Sequence, residues 1–168
     1  MKKIIFAAFV FVCLILSCEK KVDITQSSFL DDKTIENFVA NHQMILDDIK
    51  TSGAKAWVVA DSNFSVKDFF EAFRKKMPPS KVGKIFERYG LNAKMGHLQI
   101  TTMQYGIVAC TIEEALAEIE NTERTDEQKA SDNQARAWLK EIKSNISPED
   151  YELVKKYKAK LYEIFNKL

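Results

Sequence analysis

LQITTMQYGIVACTIEEAL, residues 98–116, is apolar on two sides. Leu98, Tyr105, Ala109, Ile112 and Leu116 recur at helical spacing and continue to Ile119, while Ile100, Met103, Ile107 and Cys110 cover the opposite flank. A helix that is apolar all round is one that the rest of a domain packs around. The segment from about Asn92 to Asn121 therefore reads as a buried central helix. Gly96 and Gly106 each cost such a helix about 1 kcal/mol relative to alanine. They suit it only where a neighbour approaches its backbone closely, and Gly106 also marks a place for a break. After Thr111 the pattern becomes one-sided, with Glu113, Glu114, Glu118 and Glu120 turned to water.

The flanking segments supply amphipathic helices to cover it. From Asp31–Thr34 to about Thr51, Ile35, Phe38, Val39, His42, Ile45, Leu46 and Ile49 form one stripe, and Gly53 follows as a left-handed stop. Cap-type residues Asp61, Ser62, Asn63 and Ser65 precede VKDFFEAFRKKM, whose Phe69, Phe70, Phe73 and Met77 face inward until Pro78-Pro79 ends the helix. Ser80 caps a short helix bearing Val82, Ile85, Phe86 and Tyr89, with Gly90 beyond it. Thr125-Asp126-Glu127-Gln128 is a capping box for a helix carrying Ala135, Trp138, Leu139 and Ile142. Ser147-Pro148-Glu149-Asp150 opens a last helix with Val154, Tyr157, Leu161, Ile164, Phe165 and Leu168 inside; there the two acids meet the positive end of the dipole. The segment 54–60 fits either extended chain or helix, and no other segment offers it a strand partner. The expected fold is all-α: a compact bundle of five or six helices around the 98–116 segment.

Composition agrees. Five glycines and three prolines in 168 residues are too few for the many tight turns of a sandwich. Charges of both signs are interspersed, as on a solvated helical surface.

The first eighteen residues differ from all of this. Lys2 and Lys3 lead an unbroken apolar run from Ile4 to Leu16, followed by Ser17 and Cys18. A spanning helix needs roughly 20 apolar residues, and this run stops at Glu19-Lys20-Lys21 after thirteen. A basic head with a short apolar centre is an export signal, and no small-x-small triplet for ordinary secretory cleavage precedes the charges. Ile15-Leu16-Ser17-Cys18 resembles the lipobox of bacterial lipoproteins, with Leu16 standing where that pattern prefers a small residue. The resemblance covers residues 1–18 alone. It implies cleavage before Cys18, a diacylglyceryl group on its sulfur, and slow release from a membrane, because each buried CH₂ contributes about 0.8 kcal/mol and two or three chains act together. The class's sorting rule reads the next residue; Glu19 is not the aspartate of inner-membrane retention, which favours the outer membrane.

Residues 1–17 are then a signal peptide, 18–30 the lipidated cysteine and a tether with a reach of about 20 Å, and 31–168 one helical domain. Lys2 and Lys3 leave with the signal, taking the 25 basic residues to 23 against 24 acidic ones. That balance lacks the basic excess of a nucleic-acid footprint. With Cys13 removed and Cys18 acylated, only Cys110 remains, so the domain holds by packing and not by a disulfide.

Catalytic chemistry has little to start from. His42 lies on an apolar stripe, where a core histidine bonded to a neighbour is the expected role, and His97 follows Gly96 at the edge of the central helix. Neither has metal-ligand spacing, so no metal or other cofactor is expected beyond the lipid on Cys18. Cys110 sits among Ile107, Val108 and Ile112, where burial makes a thiol inert. No Gly-x-Ser-x-Gly and no glycine-rich phosphate loop occurs. The aromatic wealth of residues 64–89 is the one binding signal: Phe69, Phe70, Phe73, Phe86 and Tyr89, flanked by Met77 and Met95, either fill a core or line an apolar pocket. The expected function is a membrane-anchored envelope lipoprotein with a non-catalytic domain that binds an envelope protein. The alternative is a carrier or sensor of an apolar small ligand through the Phe-rich region.

Overall fold

The computed structural model describes residues 28–54 and 65–167. Cys18, the signal, residues 19–27 of the tether and the ambiguous segment 55–60 lie outside the described residues. Seven helices and no strands are present among those described: α1 (Asp32–Thr51), α2 (Val66–Lys75), α3 (Ser80–Arg88), α4 (Gly96–Ile119), α5 (Asp126–Asn145), α6 (Pro148–Lys156) and α7 (Lys158–Phe165). The all-α bundle is therefore correct, with one helix more than the upper expected count.

Helix α4 is the centre. It packs against α5, α6, α7, α2 and α1, and Leu98, Met103, Ile107, Ala109, Cys110 and Leu116 are buried along it. It runs unbroken through Gly106. A Cβ built there would sit 2.9 Å from Val154 Cγ1 of α6, so the missing side chain is what lets the two helices close. Gly96 does the same for the Phe86 ring of α3.

The capping residues behave as their chemistry dictates. Asp31, Ser65, Thr125 and Ser147 each accept a backbone N–H three residues on, and Ser65 and Thr125 complete reciprocal boxes with Asp68 and Gln128. Gly53 has φ 63 behind α1, as a left-handed stop requires. Ser80 departs from expectation. It is the first helical residue of α3, and Pro79 occupies the cap position without a side-chain bond. The fixed proline φ of −54 prepares that turn instead.

The extra helix arises at Tyr157. Its backbone (φ −99, ψ 8) divides the expected final helix into α6 and α7. Its hydroxyl donates to Glu36 Oε1 of α1 at 2.9 Å, and Phe165 of α7 stacks on Phe38 of α1 with centroids 5.6 Å apart. The chain end thereby reaches α1 as well as α4.

Asp150 lies in the first turn of α6 as expected, and it has a second role there. It is 0 % exposed. Its carboxylate accepts from the Ser28 hydroxyl (2.7 Å), the Phe29 N–H (2.9 Å) and the Leu30 N–H (2.9 Å). Gln99 of α4 extends the clamp: its Nε2 donates to the Phe29 carbonyl at 2.9 Å, and its Oε1 accepts the Asn92 N–H at 2.8 Å. Leu30, held this way, joins the core.

Two stability measurements follow. Asp150→Ala leaves the buried Leu30 N–H and the half-buried Phe29 N–H without their acceptor and lowers the urea unfolding free energy by about 2–3 kcal/mol; a loss under about 1 kcal/mol would show the clamp to be dispensable. Gly106→Ala destabilises by about 1–2 kcal/mol in spite of alanine's better helix propensity, because Val154 must give way. In Gly106→Ala/Val154→Ala the two losses add to less than their sum, and strict additivity would count against the contact.

Candidate functional site

The five aromatic side chains of the Phe-rich region do not surround one cavity. Phe70 and Phe86 are fully buried and fill the core. Phe69 is half-buried, lying 4.5 Å from the Phe73 ring and 5.7 Å from Tyr105 between centroids. Tyr89 on the far side of α3 donates its hydroxyl to Asp48 Oδ2 at 2.9 Å. Of the five, Phe73 alone lines a groove.

That groove lies where the end of α2 meets the start of α4, and its volume is about 230 Å³. Phe73, Met77, Met95 and Leu98 give it an apolar wall. Phe73 and Leu98 are buried at its base, and Met77, 42 % exposed, stands at its rim. Pro78-Pro79 stops α2 so that Lys76 and Met77 leave the helix beside the 92–95 turn. That turn is built by Asn92, whose side chain accepts the Lys94 and Met95 N–H groups at 2.9 and 3.1 Å.

The polar lining is cationic. Arg74, Lys76 and Lys94 border the groove, and no acidic side chain of the described residues does. Arg74 is committed elsewhere: it donates to the Asn145 carbonyl at 2.8 Å, closing the end of α5, and lies over the Phe70 ring. Lys76 and Lys94 are exposed, and neither forms an ion pair among the described residues.

His97, the second residue of α4 and so at the helix edge as expected, is buried at the base of the groove. It is 5 % exposed, stacks on Phe73 with centroids 5.5 Å apart, and donates from Nε2 to the Phe73 carbonyl at 2.9 Å. Burial lowers its pKa to about 4, against hydrogen bonds to the backbone of Phe73 and Lys76 that act to raise it. The base of the groove is therefore uncharged at neutral pH, with positive charge only at the rim.

The other chemistry-bearing groups are apart from it. His42 bonds from Nδ1 to the Val39 carbonyl of its own helix at 3.1 Å and tilts against Phe38. Cys110, thirteen residues from His97 on one helix and so roughly 20 Å along its axis, is buried, and burial pushes its thiol pKa up. Beside it is a cluster the helical pattern did not show. Glu113, expected in water, is half-buried and accepts from both Tyr151 and Lys143. Burial raises its pKa, but those two donors outweigh it and the net direction is down. Lys143 also lies over the Tyr151 ring at 4.5 Å.

Among the described residues no group of three or more His, Cys, Asp and Glu could hold a metal ion, and no helix is long and apolar enough to cross a membrane. Comparison with protein-family models, with curated proteins and with solved structures finds no match.

Composition had indicated aromatics but not the groove's other half. Lys76, Lys94, Asn92 and Met95 come from two turns sixteen residues apart, and no period connects them. The available signal was Lys75-Lys76 and Lys94 beside Met77 and Met95.

The unfolded chain binds a proton at His97 near pH 6.5, the folded chain only near 4. Unfolding takes up that proton in between, so stability falls as pH drops from about 6.5 toward 4, by about 3 kcal/mol at most. His97→Gln flattens this part of the urea-stability profile relative to the parent; an unchanged slope would place His97 in contact with water.

Proposed function

We propose that this chain is a bacterial envelope lipoprotein, held to a membrane through acylated Cys18, whose helical domain binds a ligand or partner and performs no covalent chemistry. The anchor rests on the sequence Ile15-Leu16-Ser17-Cys18 and on the charges that end the apolar run after thirteen residues. Binding rests on one observation: an apolar groove with a neutral base and a cationic rim, formed by α2 and α4.

What favours binding over catalysis is the use already made of the reactive groups. His97 is kept neutral by burial and bonded to backbone, Cys110 is a buried thiol with a raised pKa, and Asp150 is saturated with donors. The near balance of charge speaks against nucleic acid as the partner. The groove also favours the second reading, a small apolar ligand, over a large protein interface. At about 230 Å³ it falls below the roughly 300–1,000 Å³ of sites for drug-sized ligands. It is a concave cleft and not a broad flat patch. The site so read is smaller than the Phe-rich region and differently placed: Phe73 belongs to it, with Met77, Met95 and Leu98 in place of Phe69, Phe70, Phe86 and Tyr89.

Cys18→Ala tests the anchor. The variant should lose incorporation of labelled palmitate and move from the membrane pellet to the soluble fraction. Palmitate labelling equal to the parent's, or membrane retention of processed protein, would overturn the assignment.

A further inference from the structure

The groove's chemistry specifies its ligand more narrowly than "apolar". Its base is made of Phe73, Leu98 and the neutral ring of His97, and its rim carries the ammonium groups of Lys76 and Lys94 without an ion-pair partner among the described residues. An uncharged apolar molecule would satisfy the base and leave the rim unused. A simple anion would satisfy the rim and leave Met77 and Met95 uncovered. A molecule with an apolar body and one anionic end meets both. The volume of about 230 Å³ admits a short or medium hydrocarbon segment and excludes a whole two-chain lipid.

The groove also lies at the end of α4 where the N-terminal chain joins the domain. Asn92 lines it, the Asn92 N–H donates to Gln99, and Gln99 donates to the carbonyl of Phe29. Two hydrogen bonds thus connect the groove wall to Phe29, within the last residues of the expected tether. This inference rests on the binding role proposed above for the same groove, and not on the anchor.

We infer that the α2–α4 groove binds a medium-length acyl chain bearing an anionic head, with the chain against Phe73, Met77, Met95 and Leu98 and the head between Lys76 and Lys94. A free fatty carboxylate has both parts; a two-chain anionic phospholipid could offer only its head to the rim.

The test uses the lipidated full chain in phosphatidylcholine vesicles and a photoreactive diazirine derivative of decanoate, with labelled peptides located by mass spectrometry. The label should fall within 73–77 or 92–98. Lys76→Glu/Lys94→Glu, altering two exposed side chains, should reduce it by about tenfold, as should Met77→Glu with both lysines intact. The matching decanol derivative should label about tenfold less than the acid. Labelling elsewhere, equal labelling by the alcohol, or no effect of charge reversal would overturn the inference. So would displacement by an Asp- and Leu-rich peptide with none by unlabelled decanoate, which would assign the groove to a protein partner. Phosphatidylglycerol is then added to the vesicles. Competition would show that the rim takes a phospholipid head and would overturn the acyl-chain assignment; its absence supports the free acid. Flotation of the same samples separates the two readings. A chain that floats without groove labelling loses only this inference, and one that labels without floating loses only the anchor.

Discussion

Taking the Asp150 carboxylate out of water costs several kcal/mol unless donors replace its hydration. Here three donors from Ser28, Phe29 and Leu30 do so, and the carboxylate's own backbone N–H is bonded to the Ser147 cap. The arrangement has one geometry, because all three donors come from consecutive residues that must run past the start of α6. Leu30 is thereby set in the core, Asp31 is placed to cap α1, and the first turn of α4 is joined to the same chain through Gln99. Parts of the protein 120 residues apart in sequence are thus set at one point, and the turn at Asn92, which forms one wall of the groove, is set with them.

The helices were legible because each carries local instructions. The Ser65 cap, the Thr125 box, the Ser147-Pro148 start, Gly53 and the Pro78-Pro79 stop act over four or five residues, within reach of sequence pattern. The two-sided apolar pattern of residues 98–116 announced the buried α4 for the same reason. What failed was non-local. Asp150 is the dipole-matching acid it looked like, but its second role was hidden because its further donors lie at residues 28–30. Glu113 looked solvent-facing because Tyr151 and Lys143 belong to other helices. The division at Tyr157 was hidden by an apolar stripe that continues across it. The groove was half legible: the aromatic run was visible, but which rings fill and which line depends on the meeting of α2 with α4.

Charge in this domain is arranged by depth. At the surface, pairs such as Lys75–Glu71 and Lys155–Glu152 are exposed and contribute little. One layer down, Glu113 accepts from Tyr151 in a bond partly shielded from water and joins α4 to α6, while the Lys143 that joins it to α5 stays exposed. At the base of the groove there is none, since His97 is neutral above about pH 4. The two lysines at the rim thus act over a region with no competing charge nearby in the lining, where an anion is attracted more strongly than by the same groups on an open helix face.

The Asp150 clamp also determines how the domain answers a pull. Tension arriving along the chain ahead of residue 28 meets the bonds from Ser28, Phe29 and Leu30 to a single carboxylate before it reaches α1. Force is therefore delivered to the start of α6 and, through Gln99, to the first turn of α4 before α1 is loaded.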